Sequence, residues 1–413
     1  VDADQRLDLQ ALDEYLVHWM LRQYGLRILA QGRRHRMKLA YFLKDATASG
    51  GMERVLSNKC AWWCAQGHEV HVVSLVDPQG REPFFPFPAQ VRHHNLGLQR
   101  IYRKGLANKL RKGRNVEAFV AAADRWLTQF QPDIAISMFD EYSRHLPRTR
   151  HACCKVGELH FAKHKSAQYM YRLERTAAGR VLCRLYKHAD YRLIGGYDAF
   201  VTLTAQDAEA WGRLPNITSI PNAASFACPT RAPLDSKQVI ALGRNTRQKR
   251  FDRLLKAWSR VAPRHPDATL RIVGPGGKDD LRRLAHRLGI ESQVTLDDAV
   301  RDVPGALMQA SVLALSSQYE GFAMVLLEAM SCGLPVVASD CRSGPAEIVT
   351  HGEDGFLVAP GDIEGMAAAL DRLLSDPSLR DAMGAAAHRN VARFSEQAVM
   401  ARWQALFEGL LRA

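Results

Sequence analysis

The sequence predicts an α/β protein with two domains, each built on a parallel β-sheet. Short apolar runs of strand length alternate with helix-length segments, which is the pattern of parallel strands joined by helices. The alternation begins at Met37, is interrupted by a Pro-, Ala- and Ser-rich stretch over 222–237, and then begins again. A length of 413 residues also suits two domains. We therefore expect two Rossmann-like domains whose sheets face each other across a cleft.

The interruption places the domain boundary near residue 222. We expect four segments: an N-terminal extension over 1–36, a first domain over 37–222, a second domain over 223–390 and a final helix over 391–413 that crosses back to the first domain. The extension carries acidic residues first, then an apolar stretch, then basic residues. We favour a peripheral extension; a loosely attached helix, a membrane-surface anchor and a translation-start artefact are the readings left open for it.

Strand-length apolar runs justify the elements of the first domain in order. The run 37–43 predicts the first strand, and a helix over 52–66 follows, which Gly67 ends. Further strands are predicted at 69–76, 133–138, 153–156, 200–204 and 218–220.

The same alternation predicts the second domain. Its strands are expected at 239–242, 269–273, 294–296, 311–315 and 335–339. Its helices are expected at 251–264, 279–289 and 322–331, with three more over 362–413. Ligands of such sheets bind beyond the carboxyl ends of the strands. The loops at those ends are therefore the places to look for chemistry.

Composition excludes several classes of protein. Hydrophobic residues make up 47% and charged residues 24%, as in globular proteins, which argues against a disordered chain, a fibre or a multi-span membrane protein. No apolar stretch approaches the ~18 residues of a membrane-spanning helix, and we expect no secretory signal. The eight cysteines form no CxxC pair, so we expect reduced thiols in a cytoplasmic protein.

The charge balance favours an anionic partner. Lys and Arg number 56 against 43 Asp and Glu, a net charge of +13. Nucleic acid, an anionic membrane surface and a phosphorylated substrate all fit such a charge. The stretch Arg100–Arg114 concentrates it, with seven basic residues and no acidic one. Its interleaved apolar residues fit a membrane interface or a solvated basic loop, whereas no nucleic-acid motif accompanies it.

Two glutamates after a buried strand give the strongest functional signal. Glu320 falls in the strand-to-helix loop and Glu328 about two turns into the following helix. Eight residues of helix separate them by at most ~12 Å. That span suits one carboxylate on a sugar hydroxyl and the other on a ribose. The helix N-terminus between them favours a phosphate.

A basic loop gives the second signal. Between the strand 239–242 and the next helix, four cations crowd the positive end of the helix dipole, namely Arg244, Arg247, Lys249 and Arg250. A bound diphosphate would resolve this conflict, because it suits both the cations and the free N–H groups.

Weaker signals come from glycine turns and one histidine. Gly50 and Gly51 stand between the first strand and the first helix, where a backbone without side chains lets a ligand approach closely. Gly274 opens a glycine-rich turn after the strand 269–273, which lines the cleft or is a simple turn. His160 lies just past a strand end, with His164 as a competitor.

Together these motifs resemble the retaining glycosyltransferases of family 4, which have the GT-B fold. The most specific part runs from Glu320 to Gly355 and includes Gly333-Leu-Pro-Val-Val and Gly344-Pro-Ala-Glu347-Ile. The segment Gly243-Arg244…Lys249 and the motif Gly50-Gly51-Met-Glu-Arg also match, the latter in a subgroup that builds bacterial surface glycans.

The resemblance implies roles for individual residues. Arg244 and Lys249 would hold the donor diphosphate, and Glu328 would bind the ribose. Glu320 would contact the donor sugar, and His160 would lie near the reacting carbon. The donor site would further include Gly50, Gly51, Gly274, Gly321, Phe322, Ala323 and Met324, with the backbone N–H groups of 322–324 aiding Glu320. Ala323 stands where family members often have Gly or Pro.

The resemblance also implies the partners. We expect a nucleotide sugar, with UDP as its nucleotide, and a glycan or polyprenyl-diphosphate-linked acceptor in surface polysaccharide or lipopolysaccharide synthesis. No metal and no cofactor beyond the donor substrate is expected. The basic first domain suggests peripheral contact with the anionic inner face of the plasma membrane.

Two alternatives remain. A nucleotide-sugar epimerase or a soluble sugar synthase would share the fold but need no lipid acceptor. A non-catalytic protein that binds anions or membranes would use the basic stretch alone. A dinucleotide-dependent dehydrogenase is disfavoured, because no G-x-G-x-x-G follows the first strand of either domain.

Overall fold

The fold is seen in a computed structural model, which describes residues 36–47, 51–75, 82–98, 106–160, 176, 188–212 and 214–412, with side chains from 114 onward in the fourth range. Four sequence predictions lie outside the described residues: nearly all of the N-terminal extension, Gly50, the start of the basic stretch and His164.

The first domain is a parallel sheet of seven strands in the order β3-β2-β1-β4-β5-β6-β7. The strands are β1 Lys38–Leu43, β2 Glu69–Ser74, β3 Arg92–Asn95, β4 Ile134–Ser137, β5 Cys154–Glu158, β6 Ala199–Thr202 and β7 Ile217–Ser219. The helices are α1 Gly51–Ala65, α2 Leu106–Phe130 and α3 Ala205–Ala210, with a 3-10 helix at Ser143–Arg148 and a helical stretch at 188–194.

The second domain is a parallel sheet of six strands in the order β10-β9-β8-β11-β12-β13. The strands are β8 Gln238–Leu242, β9 Thr269–Val273, β10 Val294–Asp297, β11 Val312–Leu315, β12 Val336–Ser339 and β13 Gly355–Val358. Its helices are α4 Phe251–Val261, α5 Asp279–Arg287, α6 Val303–Met308, α7 Met324–Ser331, α8 Pro345–Ile348, α9 Ile363–Ser375 and α10 Pro377–Asn390. The final helix of the chain, α11, is Glu396–Arg412. Short 3-10 turns follow α4, precede β10 and precede α11.

These two sheets confirm the predicted fold class. The sequence analysis misses β3 and β13, which both lie at sheet edges. Strand β3 reads Arg-His-His-Asn and is largely exposed, so it carries no apolar run. Strand β13 is four residues long and begins with a glycine, which weakens its signal. One helix start is also wrong: α7 begins at Met324 rather than at Phe322, because the chain through Phe322 and Ala323 is still an irregular loop.

Each sheet is covered on both faces, which explains why its strands read as continuous apolar runs. In β1, Leu39 and Tyr41 join one core cluster while Ala40 and Phe42 join the cluster on the opposite face. This alternation follows from the two-residue period of a strand. The second sheet is filled in the same way from both sides.

The C-terminal helix packs on the first domain although it follows the second in the chain. Its buried residues Val399, Met400, Trp403 and Phe407 belong to the core beneath α1. The ring of Phe407 stacks on that of Trp63 with 5.3 Å between centroids. Helix α11 therefore ties the end of the chain to its first sheet.

Contacts between the domains supplement this tie. The segment 220–237 that joins them contains no helix or strand. Glu347 of α8 reaches the first domain, where its carboxylate accepts hydrogen bonds from the N–H groups of Ala205 at 3.0 Å and Gln206 at 2.9 Å. A carboxylate at this end of α3 satisfies N–H groups that the helix cannot pair itself. In the part of the chain that the structure describes, no helix has the length and apolarity needed to cross a membrane.

Removing the Phe407 ring should destabilise the packing of α11. Phe407 is fully buried, so Phe407→Ala is expected to lower the free energy of unfolding by ~3–5 kcal/mol. Leu411→Ala is the control, because Leu411 is 38% exposed on the same helix and should change stability by no more than ~0.5 kcal/mol. Urea unfolding measures both. Equal effects of the two substitutions would contradict the docking of α11 described here.

Candidate active site

Three loops meet at the carboxyl edge of the second sheet. They follow β8, β9 and β11 and span 243–250, 274–278 and 316–323. Because these strands are neighbours in a parallel sheet, their loops emerge side by side. The predicted basic loop and the predicted Glu320 loop therefore lie next to each other.

Two glycines allow the first two loops to touch. Gly274 has φ +154°, and a Cβ built there would lie 2.0 Å from the carbonyl oxygen of Gly243. Gly243 has φ +148°, and a Cβ there would lie 2.8 Å from Cε of Lys249. The positive φ favours glycine at both positions, and at Gly274 the backbone of Gly243 also leaves no space for a side chain. Gly274 therefore lies at the carboxyl edge of the second sheet in contact with the basic loop, and it is not merely part of a simple turn.

Lys249 and Glu320 form the central ion pair. The Nζ of Lys249 lies 2.9 Å from Oε1 of Glu320, and both side chains are largely buried. The hydroxyl of Ser317 donates to the same oxygen at 2.5 Å, and Nε2 of Gln248 donates to Oε2 at 3.3 Å. The predicted phosphate-binding cation and the predicted sugar-binding carboxylate are therefore direct partners. Glu320 stays oriented because three side chains hold it.

Not all of the remaining cations of the basic loop lack a carboxylate partner. Arg250 has φ +52° at the start of α4 and pairs with Asp252, with both hydrogen bonds at 2.8 Å. Arg244 and Arg247 are exposed. The crowding of cations expected from the sequence is thus partly relieved by local carboxylates.

Glu328 occupies a different environment from Glu320. Because α7 begins at Met324, Glu328 lies little more than one turn into the helix, not two. The hydroxyl of Ser225 donates to its Oε1 at 2.9 Å, and Nη1 of Arg54 lies 3.9 Å from the same atom. Burial raises the pKa of Glu328, while Ser225, Arg54 and Lys249 oppose that shift.

The loop before α7 is buried and close-packed. Phe322 and Ala323 are almost fully buried. Gly344, which has φ +137°, lies against them: a Cβ built at Gly344 would be 3.4 Å from the backbone nitrogen of Ala323. The N–H of Met324 donates to the Phe322 carbonyl at 2.7 Å. Of the N–H groups expected to aid Glu320, that of Met324 is already engaged in this conformation.

The first domain faces this edge with the start of α1. Gly51 begins the helix, and no atom would lie within 4 Å of a Cβ built there. A cavity of about 100 Å³ lies between the domains, lined by Gly51, Arg54, Lys59, Ser225, Glu328 and Met400 among others. The guanidinium of Arg54 lies 5.6 Å from the centroid of the Phe85 ring. Arg54 is thus shared between the two domains.

His160 lies just beyond β5 and is buried beside two charged side chains. Its Nε2 is 3.3 Å from Oε1 of Glu158, and the same oxygen accepts a hydrogen bond from Nζ of Lys59. Burial alone would raise the pKa of Glu158, but Lys59 and His160 lower it to about 2. Burial lowers the pKa of Lys59, and Glu158 opposes that shift. The competitor His164 lies outside the described residues.

Sequence reasoning assigned no role to several of these residues. Arg54 belongs to the Gly50-Gly51-Met-Glu-Arg motif, Gln248 lies within the basic loop and Glu158 stands two residues before His160, whereas Ser225 and Lys59 belong to no motif. A polar residue within an apolar helix face or strand is the signal that could have found Lys59 and Glu158. Within the described ranges, no three His, Cys, Asp or Glu side chains converge closely enough to hold a metal ion.

Replacing Gly274 should disturb the contact between the two loops. A methyl group at Gly274 meets backbone atoms that cannot move aside, so Gly274→Ala is expected to cost at least ~1–3 kcal/mol of stability. Gly277→Ala serves as the control, because a Cβ there has nothing within 4 Å. Thermal unfolding of both variants measures the difference. A Gly274→Ala protein as stable as the control would refute the close approach.

The Lys59–Glu158 pair should contribute stability that disappears in acid. The pKa of Glu158 is about 2 in the folded protein, below the ~4.3 expected when unfolded. A lowered carboxyl pKa stabilises the fold above the unfolded value, and this stability is lost as the pH falls from ~4.3 towards 2. We expect Lys59→Met to cost ~3–5 kcal/mol at pH 7, because it leaves a buried carboxylate unpaired.

The double variant Lys59→Met with Glu158→Gln isolates this effect. It should recover most of the stability at pH 7 and lose less than the natural protein between pH 5 and pH 3. Urea unfolding across this range measures both. An identical pH dependence of the natural protein and the double variant would show that the pair contributes nothing.

Two family models match the chain. The model of glycosyl transferases group 1 matches residues 228–390, and that of the glycosyl transferase 4-like domain matches residues 50–223. The first match contains the basic loop, Glu320 and Glu328, and the second contains Gly51 and His160. The two matches together cover most of both domains.

Of three curated relatives, two are named glycosyltransferases and one is named a phosphotransferase. An uncharacterized glycosyltransferase of Haemophilus influenzae is 29% identical over 83% of this chain and 92% of its own length. An exopolysaccharide phosphotransferase of Streptomyces coelicolor is 35% identical over 57% of this chain, a region that is 27% of that protein. An amylovoran biosynthesis glycosyltransferase of Erwinia amylovora is 34% identical over 40% of this chain and 46% of its own length. The chain therefore spans less than half of two of these three relatives.

Solved structures share the whole two-domain architecture. Sucrose-phosphate synthase of Thermosynechococcus elongatus matches with a TM-score of 0.74 and 20% identity, over 91% of this chain and 100% of that one. TarM of S. aureus matches with a TM-score of 0.68 and 15% identity, over 90% and 99%. At such identities the likeness shows the fold, which is GT-B. The chain belongs to the group 1 glycosyltransferases with a family 4-like first domain, as the motifs around Glu320 and Glu328 predict.

Proposed function

We propose that this glycosyltransferase transfers a hexose or N-acetylhexosamine, with retention of configuration, from a UDP-sugar to a glycan or lipid-linked acceptor. The observation that carries the proposal is the convergence of Lys249, Glu320 and Glu328 at one sheet edge, opposite Arg54 of the other domain. A nucleotide sugar presents its diphosphate between a ribose and a sugar ring. The site offers Lys249 paired with Glu320 and close enough to Glu328 for their charges to interact, which suits a cation on the diphosphate with a carboxylate on either side.

Each side chain has a role that suits its environment. Lys249, with the exposed Arg244 beside it, binds the diphosphate and neutralises the charge that develops on it as it leaves. Glu320 is held by Lys249, Ser317 and Gln248 and accepts a hydrogen bond from a sugar hydroxyl. Glu328 is already fixed by Ser225 and accepts from the ribose hydroxyls. In this scheme the cations, rather than a metal, balance the diphosphate.

The proposed transfer takes place on one face of the donor sugar. The bond from the anomeric carbon to the phosphate oxygen breaks, and a bond to the acceptor oxygen forms on the same face. The departing phosphate oxygen takes the acceptor proton. His160, at the carboxyl edge of the first sheet, lies next to the reacting sugar. Closure of the two domains excludes water and so limits hydrolysis of the donor.

The acceptor class is suggested by relatives. The Erwinia relative is named for amylovoran biosynthesis, and a Rhizobium meliloti relative, 32% identical over 40% of this chain, is named for lipopolysaccharide core biosynthesis. The S. aureus structure was solved with UDP and a GlcNAc-glycerol. We therefore propose a role in surface polysaccharide, lipopolysaccharide or glycoconjugate synthesis, at the cytoplasmic face of the plasma membrane through the basic stretch of the first domain.

Nucleotide binding tests the donor site without an acceptor. We expect one nucleoside diphosphate, UDP first, to stabilise the protein by ~2.7 kcal/mol at a hundredfold excess over Kd, with or without EDTA. Glu328→Ala should abolish this stabilisation, whereas Glu364→Ala, an exposed carboxylate paired with Arg260 on α4, should keep it. A thermal-shift series with UDP, GDP, ADP and CMP measures the effect.

Three results would contradict the proposal. No stabilisation by any nucleoside diphosphate would exclude this donor class, and loss of the stabilisation in EDTA would exclude the metal-free scheme. NMR of the product then tests the stereochemistry. A product anomer opposite to that of the donor would refute retention.

A further inference from the structure

A buried chain of contacts joins the C-terminal helix to His160. The ammonium of Lys59 on α1 lies 3.6 Å from the centroid of the Trp403 ring on α11. The same ammonium donates a hydrogen bond to Oε1 of Glu158 at the end of β5. That oxygen lies 3.3 Å from Nε2 of His160. These four residues, which come from α11, α1, β5 and the loop after β5, thus form one continuous line of contacts.

The charges in this chain are almost completely removed from water. The side chains of Lys59, Glu158 and His160 are 5%, 1% and 3% exposed. Removing a cation and a carboxylate from water is costly, and a pair of apolar side chains would often stabilise a core at least as well. A role in stability alone therefore explains this pair poorly.

These contacting residues lie next to the cleft between the two domains. Lys59 lines the cavity between the domains together with Glu328 and Gly51. Glu158 and His160 lie at the carboxyl edge of the first sheet, which is the edge that carries ligand sites in such folds. The buried pair is thus directly behind the first domain's half of the candidate site.

The ionisable groups next to the pair, Tyr41 and Cys60, stay neutral, so the charged partner of Glu158 on this side is Lys59. Burial raises the pKa of Tyr41, the Glu158 charge raises it further, and the Tyr41 hydroxyl accepts a hydrogen bond from Trp63 at 2.8 Å. Burial also raises the pKa of Cys60, so both groups stay neutral. The Trp403 ring face holds the ammonium from the other side by a cation–π contact.

We infer that Lys59 and Glu158 are positioning residues for His160, and that Trp403 fixes Lys59 from the C-terminal helix. The inference rests on the proposed function, since His160 is placed there beside the reacting sugar. With its ammonium held by the ring and the carboxylate, Lys59 fixes the orientation of Glu158. Glu158, whose Oε1 lies 3.3 Å from Nε2 of His160 without an aligned hydrogen bond, restricts the imidazole by close contact and electrostatic attraction. The last helix of the chain thereby completes a site in the first domain.

Paired substitutions at Trp403 test this chain. Trp403→Leu removes the ring face, and we expect kcat of sugar transfer to fall ~10–100-fold with the donor KM changed less than ~3-fold, because a misplaced group affects the reacting geometry rather than donor affinity. Trp403→Phe keeps an aromatic face and should retain kcat within ~3-fold. Phe407→Leu is the matched control: it alters packing on the same helix, where Phe407 stacks on Trp63.

A second measurement does not depend on turnover. In ligand-free protein labelled with ¹⁵N-histidine, the His160 imidazole signals should shift in Lys59→Met and Trp403→Leu but not in Phe407→Leu. If Lys59→Met does not fold, the double variant with Glu158→Gln replaces it, because it leaves no buried unpaired charge.

The outcomes separate the inference from the proposed function. Unchanged His160 signals in both Lys59→Met and Trp403→Leu would overturn the positioning role, whatever the activity. Equal losses of kcat in Trp403→Leu and Phe407→Leu would reduce the role of Trp403 to helix packing and also overturn it. Failure of UDP and the other nucleotides to bind would remove the proposed function, while the NMR result would still decide whether Lys59 and Trp403 position His160.

Discussion

The docking of α11 on the first domain is the constraint on which the rest of the structure depends. The cleft exists only while the two sheets keep their relative position. The segment 220–237 between them contains no helix or strand that could fix that position. Trp403 and Phe407 bury aromatic surface beneath α1, and Glu347 satisfies the N–H groups of Ala205 and Gln206 from the opposite domain. Two separate contacts thus hold the domains so that Glu328 comes within reach of Arg54.

The cleft is balanced in charge by pairs rather than left as a basic surface. Lys249 pairs with Glu320, Arg250 with Asp252, and Lys59 with Glu158. A ligand diphosphate would therefore add its charge to an ordered arrangement, in which the exposed Arg244 supplies a further cation. The pairs also fix the directions of the side chains. Fixed directions favour reaction because they hold the reacting groups in the right geometry, independently of how tightly the ligand binds.

The strands with apolar runs were predictable because burial on both sheet faces leaves a direct mark on composition. The polar edge strand β3 left no such mark and was missed. Glu320 and the basic loop could be located because each follows its strand directly. Their partners could not be found in the same way: Ser225 and Glu328 are 103 residues apart, and Lys59 and Glu158 are 99 apart. The position of Glu328 in its helix was misjudged because the irregular turn at Phe322 and Ala323 resembles helix in its apolar composition.

The sequence by itself determined the two-domain α/β class, the loops at the strand ends and the family to which their motifs belong. These features depend on short-range patterns: the periods of strands and helices and the residues that follow each strand. The tertiary structure alone decided that Lys249 faces Glu320, that Arg54 crosses to Glu328 and that Trp403 covers Lys59. Such contacts depend on the order of the strands and on the path of α11 back to the first sheet. No local pattern records that path, because the residues it brings together belong to different elements of the chain.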